Sequence, residues 1–200
     1  MNILHVEDDI EWFDRIIKSR LENGGRNTVH HAESREKAHT TLNQNPIDYL
    51  IVDLAIPHKL GESSEYEHGV ALVREVKKDF PGMPILILTG QATEEAAQQF
   101  EDQERAIFWD GSRKDLIKIR PKRQLANALD IILEASHSLR NLNNIEVYSH
   151  DSDIKQLNPI EKRIFRLFCI NHGTDTTARY KSVNGGLSGA KVYSVDMRSY

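Results

Sequence analysis

The chain has 200 residues, 39% hydrophobic and 28% charged, with 26 Lys/Arg against 30 Asp/Glu for a formal net charge of −4. That length allows one or two domains with a sizeable buried core, while the absence of a clustered basic run argues against nucleic-acid binding. No apolar run approaches a membrane span, and one cysteine, Cys169, excludes an intramolecular disulfide and fits a reducing cytoplasm.

Met1 leads almost at once into the apolar run Ile3-Leu4-His5-Val6, so no secretory leader is expected. That run ends in Glu7-Asp8-Asp9, and Ile10, Phe13, Ile17 and Leu21 then recur at helical spacing until Gly24-Gly25. Carboxylates favour the positive end of a helix, so Asp9 is expected as the N-cap. Thr28–Ala32 is the second strand, and Ser34 caps a helix through Leu42. Tyr49-Leu50-Ile51-Val52 is the third strand and ends in Asp53, followed by Pro57 and a polar, acidic loop from His58 to His68. A helix from Gly69 carries Val70, Val73 and Val76 and stops at Phe80-Pro81-Gly82. Ile85-Leu86-Ile87-Leu88 is the fourth strand, ending in Thr89-Gly90, and Thr93 with Glu95-Ala96-Ala97 opens the next helix. Leu125, Leu129, Ile132 and Leu133 stripe a further helix that extends beyond Leu139.

Short apolar runs bounded by polar and Gly/Pro signals read as buried strands of a parallel sheet. Chemistry in such sheets gathers beyond the carboxyl ends of the strands. Carboxylates brought together there repel one another until a cation neutralises them, and Mg²⁺ suits an all-oxygen donor set.

Glu7-Asp8, Asp53 with Pro57 after it, and Thr89, each at a strand end, resemble the receiver domain of two-component response regulators. The resemblance implies an α/β fold, a flavodoxin-like, doubly wound, five-stranded parallel sheet, over residues 1–140, with a small α+β appendage over 141–200. It implies Asp53 as phospho-acceptor, Glu7, Asp8, Asp53 and the Ala55 carbonyl as Mg²⁺ ligands, and Thr89 as hydroxyl donor to the phosphoryl oxygens. It further implies a lysine beside the phosphoryl group. Gly111, Lys118, Pro121 and Leu125 place it at Lys118, at the end of a fifth strand Asp115–Ile119; Lys114, with Ala106–Trp109 as the strand, is the alternative. Neither choice has an aromatic residue just before the lysine, so the readout is expected to differ from the common pattern. The loop after Asp53 and the stretch from Thr89 to Lys118 are both longer than is usual in the family, and long loops are often functional.

The first 119 residues carry a charge of −8 and the remainder +4, consistent with two modules. Asn141-Leu142-Asn143-Asn144 reads as a linker before a strand-like Ile145–Tyr148 and a helix opened by Asn158-Pro159. Ile164, Phe165, Leu167 and Phe168 around Cys169 suggest a buried structural thiol. The nine histidines show no convincing ligand spacing within a helix and read as solvated or core side chains. Two strands flanking Gly185-Gly186-Leu187-Ser188-Gly189, through to Val192, resemble the nucleotide-covering hairpin of aminoglycoside and choline kinase-like phosphotransferases. Gly186, Gly189 and Val192 carry that resemblance, so the chain is expected to be the N-terminal piece of a longer protein whose later part would hold any catalytic residues.

The expected function is a cytoplasmic signalling switch, not a metabolic enzyme. It accepts a phosphoryl group from a histidine kinase or phosphotransfer protein onto Asp53 and passes the change to residues beyond 141. A homodimer stays open, and no membrane partner is expected. Two alternatives remain: a transcriptional regulator whose residues 150–195 form a small helix-plus-hairpin DNA-binding output, the helix carrying Lys162, Arg163 and Arg166, and a phosphorylation-independent receiver-like scaffold.

Overall fold

The three apolar runs and Thr28–Ala32 all pair as strands. In the computed structural model, Asn2–Val6 (β1), Thr28–Ala32 (β2), Tyr49–Val52 (β3) and Ile85–Thr89 (β4) join a fifth, Ile117–Pro121 (β5). All neighbours are parallel, in the order β2-β1-β3-β4-β5, which is the flavodoxin-like doubly wound arrangement. The structure describes residues 1–90, 93–100, 105–149, 157–173, 177–183 and 192–198. They divide into two compact units, Met1–Ala106 with Asp115–Ser136, and Ile107–Lys114 with His137–Tyr200.

The first unit follows the hydrophobic pattern closely. All of Tyr49–Val52 is buried, as a central strand covered on both faces requires, and each fully buried Leu or Ile contributes about 1.5–3 kcal/mol. Leu4, Val6, Leu50, Val52, Ile85 and Ile87 share one core with Leu72, Val73 and Val76. Ile10–Trp12, Phe13–Ile17 and Lys18–Glu22 form one helix (α1), π-helical in its middle stretch. Asp9 caps it as expected, accepting from the Trp12 amide at 2.9 Å. Asn23 ends it in the left-handed region at φ 48°, followed by Gly24 and Gly25, also at positive φ. Ser34 caps Arg35–Gln44 (α2), accepting from Lys37 N at 3.2 Å. Tyr66–Asp79 (α3), Thr93–Phe100 (α4) and Leu125–Asn144 (α5) complete the helices between and after the strands.

Three expectations need correction. The third helix starts at Tyr66, a turn before Gly69. The fifth strand is Ile117–Pro121 in place of Asp115–Ile119, set by the pairing of Ile85 with Ile117 through Thr89 with Pro121; Ala106–Trp109 has no place in that sheet. Residues 141–144, read from their asparagines as a linker, continue α5 as its last turn. The reason is the buried stripe Ala128, Ile132, Ala135, Leu139 and Leu142, which keeps helical spacing into the asparagines.

In the second unit Glu146–Ser149 (β6), Thr177–Val183 (β7) and Val192–Arg198 (β8) form a sheet of that order, parallel then antiparallel. Pro159–Asn171 (α6) opens with a full capping box between Asn158 and Glu161. Phe165, Tyr180 and Leu157 form its core, with Val147, Tyr193 and Val195 against them. Cys169 is fully buried, and burial pushes its thiol pKa up, as befits a packing role.

Candidate functional site

Val6 and Asp53 show how the sheet gathers the carboxylates. The Asp53 amide donates to the Val6 carbonyl at 2.9 Å, and the Glu7 amide donates to Ala32 at 3.0 Å. Each acid therefore leaves its strand at the same carboxyl edge. Both are buried, Glu7 at 1% and Asp53 at 5% exposure, and Thr89 at the end of β4 is buried too. Across β4, Thr89 is level with Pro121, so the next residue, Lys122, emerges at that edge.

Lys122 is the cation of the site. Its Nζ lies 2.7 Å from Asp53 Oδ2, 2.9 Å from Glu7 Oε1 and 2.7 Å from Glu7 Oε2. The same ammonium sits 4.7 Å from the Trp12 ring centroid, within cation–π range. Burial, the largest influence on Lys122, works against its charge, but hydrogen bonds and charge from Asp53 and Glu7 outweigh it and hold its pKa above the ordinary value. Glu7 goes the other way: burial raises its pKa to about 7, against the pull of Lys122 and with the help of the Asp53 charge. Its Oε2 is buried and makes no hydrogen bond despite the close ammonium. The ring of His31 donates to the Glu7 carbonyl at 2.8 Å, fixing that backbone from β2.

The lysines expected from spacing lie elsewhere. Lys118 is inside β5, opposite Leu86, three residues short of the strand end. Lys114 pairs with Asp110 at 2.7 Å and lies over the Phe108 ring. Neither therefore stands where Lys122 does. Asp8 is exposed and accepts a hydrogen bond from the Ser64 hydroxyl, and the Ala55 amide donates to Asp53 Oδ1 at 3.3 Å. Among the described residues no group of three or more His, Cys, Asp or Glu side chains is placed to hold a metal ion by itself.

The loop after Asp53 is ordered by a short antiparallel ladder pairing Ile56 with Glu65 and Pro57 with Ser64. That ladder brings Ser64 to Asp8. Gly69, in the first turns of α3, donates its amide to the Leu54 carbonyl at 3.2 Å. A Cβ there would meet Leu54 Cα and O at 2.4 Å, so the helix can approach the chain just after Asp53 only with glycine at this position.

The profile of the response regulator receiver domain matches residues 3–107, more than half of the chain. The chain belongs to that family. Receiver domains are signalling domains rather than catalysts. Solved receivers of similar sequence include the non-phosphorylated HemR receiver domain from Leptospira biflexa, 26% identical over 68% of this chain and 92% of that one, with a TM-score of 0.47. A response regulator receiver domain protein from Clostridium thermocellum is 27% identical over 69% and 98%, TM-score 0.45. A CheY-like receiver from Methanospirillum hungatei JF-1 is 21% identical over 69% and 97%, TM-score 0.48. No curated protein matched the chain. The receiver match ends before β5 and Lys122.

Beyond the receiver, Gly186 and Gly189 of the kinase-like hairpin lie outside the described residues, while Val192 opens β8. Arg166, one of the cations on the helix considered for DNA, is tied to the Ile145 carbonyl at 2.9 Å and to Asn143 Oδ1 at 3.0 Å. Its partners are thus local to the second unit. No helix among the described residues is long and apolar enough to cross a membrane.

Proposed function

We infer that this receiver accepts a phosphoryl group on Asp53 from a histidine kinase or phosphotransfer protein and signals through the C-terminal unit. The observation that carries the reading is the Lys122 ammonium held 2.7 Å from Asp53 and against Glu7 at the carboxyl edge of the sheet. In the reaction an Asp53 carboxylate oxygen attacks the phosphorus of a donor phosphohistidine. The P–N bond breaks, its electron pair leaves on the imidazole, and an aspartyl phosphate remains. Asp53 is delivered by β3 with its other oxygen held by the Ala55 amide, so its orientation is set before the donor arrives. Lys122 stays beside the new group and pairs with a phosphoryl oxygen, and Thr89 donates its hydroxyl to another.

Glu7, Asp8 and Asp53 set three carboxyl groups against one ammonium, and every available donor is a hard oxygen. That set fits Mg²⁺, with Glu7, Asp8, Asp53 and the Ala55 carbonyl as its holders. Bound there, the ion would neutralise charge on the transferring group.

Acetyl phosphate with Mg²⁺ should add one phosphoryl group to the wild-type chain, read by intact mass, and none to Asp53→Ala. Equal labelling of the two proteins would overturn the assignment. DNA binding as the output has weaker support: Ile160, Ile164 and Phe168 are exposed along α6, and Arg166 is engaged, so that helix presents apolar more than basic surface. The scaffold reading would require a pocket indifferent to Asp53→Ala.

A further inference from the structure

We propose, resting on the reading of Asp53 as acceptor, that Trp12 is a positioning residue for phosphoryl transfer, its indole face holding the Lys122 ammonium in the pocket while Asp53 reacts.

Lys122 needs such a hold. Its backbone is set by Pro121 before it and by the short 3-10 turn Lys122–Gln124 that it opens. Its charge, however, sits at the end of a flexible four-carbon stem. At rest Asp53 Oδ2 at 2.7 Å and the two Glu7 oxygens at 2.9 and 2.7 Å fix that charge. The Ala55 amide donates to Asp53 Oδ1, so Oδ2 is the oxygen that attacks phosphorus. Once Oδ2 bridges carbon and phosphorus, its charge has passed to the phosphoryl oxygens and its pair with Lys122 is lost. Glu7 and the Trp12 ring, whose centroid is 4.7 Å from Nζ, are the contacts that the reaction leaves in place. A ring face attracts a cation without fixing it to one point. The ammonium can therefore turn from the carboxylate to a phosphoryl oxygen without leaving the pocket.

Trp12 is itself held for this task. Its amide donates to Asp9 Oδ1 at 2.9 Å, and its ring lies against that of His5 on β1, with centroids 5.9 Å apart and planes at 45°. The π-helical stretch Phe13–Ile17 begins directly after it, anchored in the core by Phe13 and Ile17. Such wide turns within a helix are frequent at functional sites. Indole is also the aromatic side chain that attracts a cation most strongly.

The test is a double-mutant cycle on the full chain, with the rate of acetyl-phosphate labelling at Asp53 read by intact mass. Trp12→Leu keeps an apolar side chain and removes the ring face, and should slow labelling about three- to tenfold. Lys122→Met removes the ammonium and keeps an apolar stem. In that background Trp12→Leu should change the rate by less than about twofold, whereas a purely structural role would slow both backgrounds alike. Trp12→Phe, with a weaker ring face, should fall between wild type and Trp12→Leu. A second measurement needs neither a variant that folds nor a phosphodonor. In wild-type protein the NMR signals of the Lys122 Cε protons should be displaced upfield by the indole ring current. That displacement decides the Trp12–Lys122 pairing separately from the acceptor assignment, which equal labelling of wild type and Asp53→Ala would sink. Lys122 Cε protons at ordinary positions, or equal slowing by Trp12→Leu in both backgrounds, overturns the proposal.

Discussion

His5 is fully buried on β1, and neither ring nitrogen has a hydrogen-bond partner. Its neighbours are the rings of Trp12, Phe13 and His31 at centroid distances of 5.4–6.3 Å. Burial, with smaller contributions from the charges of His31 and Lys122, lowers its pKa to about 3. The folded state therefore keeps His5 neutral, while the unfolded chain binds a proton near the ordinary value of 6.5. Protons favour the unfolded state between those values, so the proton-linked cost of His5 is absent above that range and grows as pH falls through it, at up to about 1.4 kcal/mol per pH unit. His5→Leu should stabilise the protein by about 1–2 kcal/mol at pH 7, since it removes unsatisfied polar atoms, and its advantage should widen at pH 5. Urea denaturation of both proteins at the two pH values measures this. An advantage that does not grow on acidification would refute it. Nothing in the sequence marks this residue out, because a histidine alternating with apolar neighbours on a strand reads equally well as core or edge.

At the scale of elements, the placement of α3 is what protects the geometry of Asp53. Gly69 touches the backbone of Leu54, which cannot retreat as a flexible side-chain tip could. Gly69→Ala should lower stability by about 1–3 kcal/mol and also slow acetyl-phosphate labelling where the variant remains folded. Labelling at the wild-type rate in a folded variant would mean that Leu54 moves without disturbing Asp53. β3 and β4 were legible because each carries an uninterrupted apolar run with a polar or glycine stop. β5 was harder: Ile117-Lys118-Ile119-Arg120-Pro121 alternates, and only Ile117 and Pro121 are buried. Family spacing drew attention to Lys118, whereas register gives the better rule. A strand that must stay level with Thr89 runs to Pro121, and the lysine at the site is then the next residue. The two-residue shift of the strand and the four-residue distance between Lys118 and Lys122 have that common origin.

At the scale of the whole molecule, the signal at Asp53 must reach residues beyond Ser136, and Leu125–Asn144 is one helix. Leu139, Leu142 and Ile145 are buried at 3%, 0% and 1%, so the segment that composition marked as a linker is packed, and its asparagines hid that packing. On the proposed reading, phosphorylation would replace the Asp53–Lys122 ion pair by a pairing of Lys122 with a phosphoryl oxygen and change the distance of Lys122 from Trp12. Wild-type protein should then show a Trp12 fluorescence change on phosphorylation, absent from Trp12→Phe and retained in Trp109→Phe. Hydrogen exchange should change over α4 and residues 141–149. Lys122→Ala should still take up phosphate at Asp53, more slowly, but lose both responses. Lys118→Ala and Lys114→Ala should keep them, because one lies inside β5 and the other is satisfied by Asp110. A variant of Lys118 or Lys114 that abolishes the response, with Lys122→Ala behaving as wild type, would show that the ammonium beside Asp53 neutralises the resting pocket and takes no part in the switch.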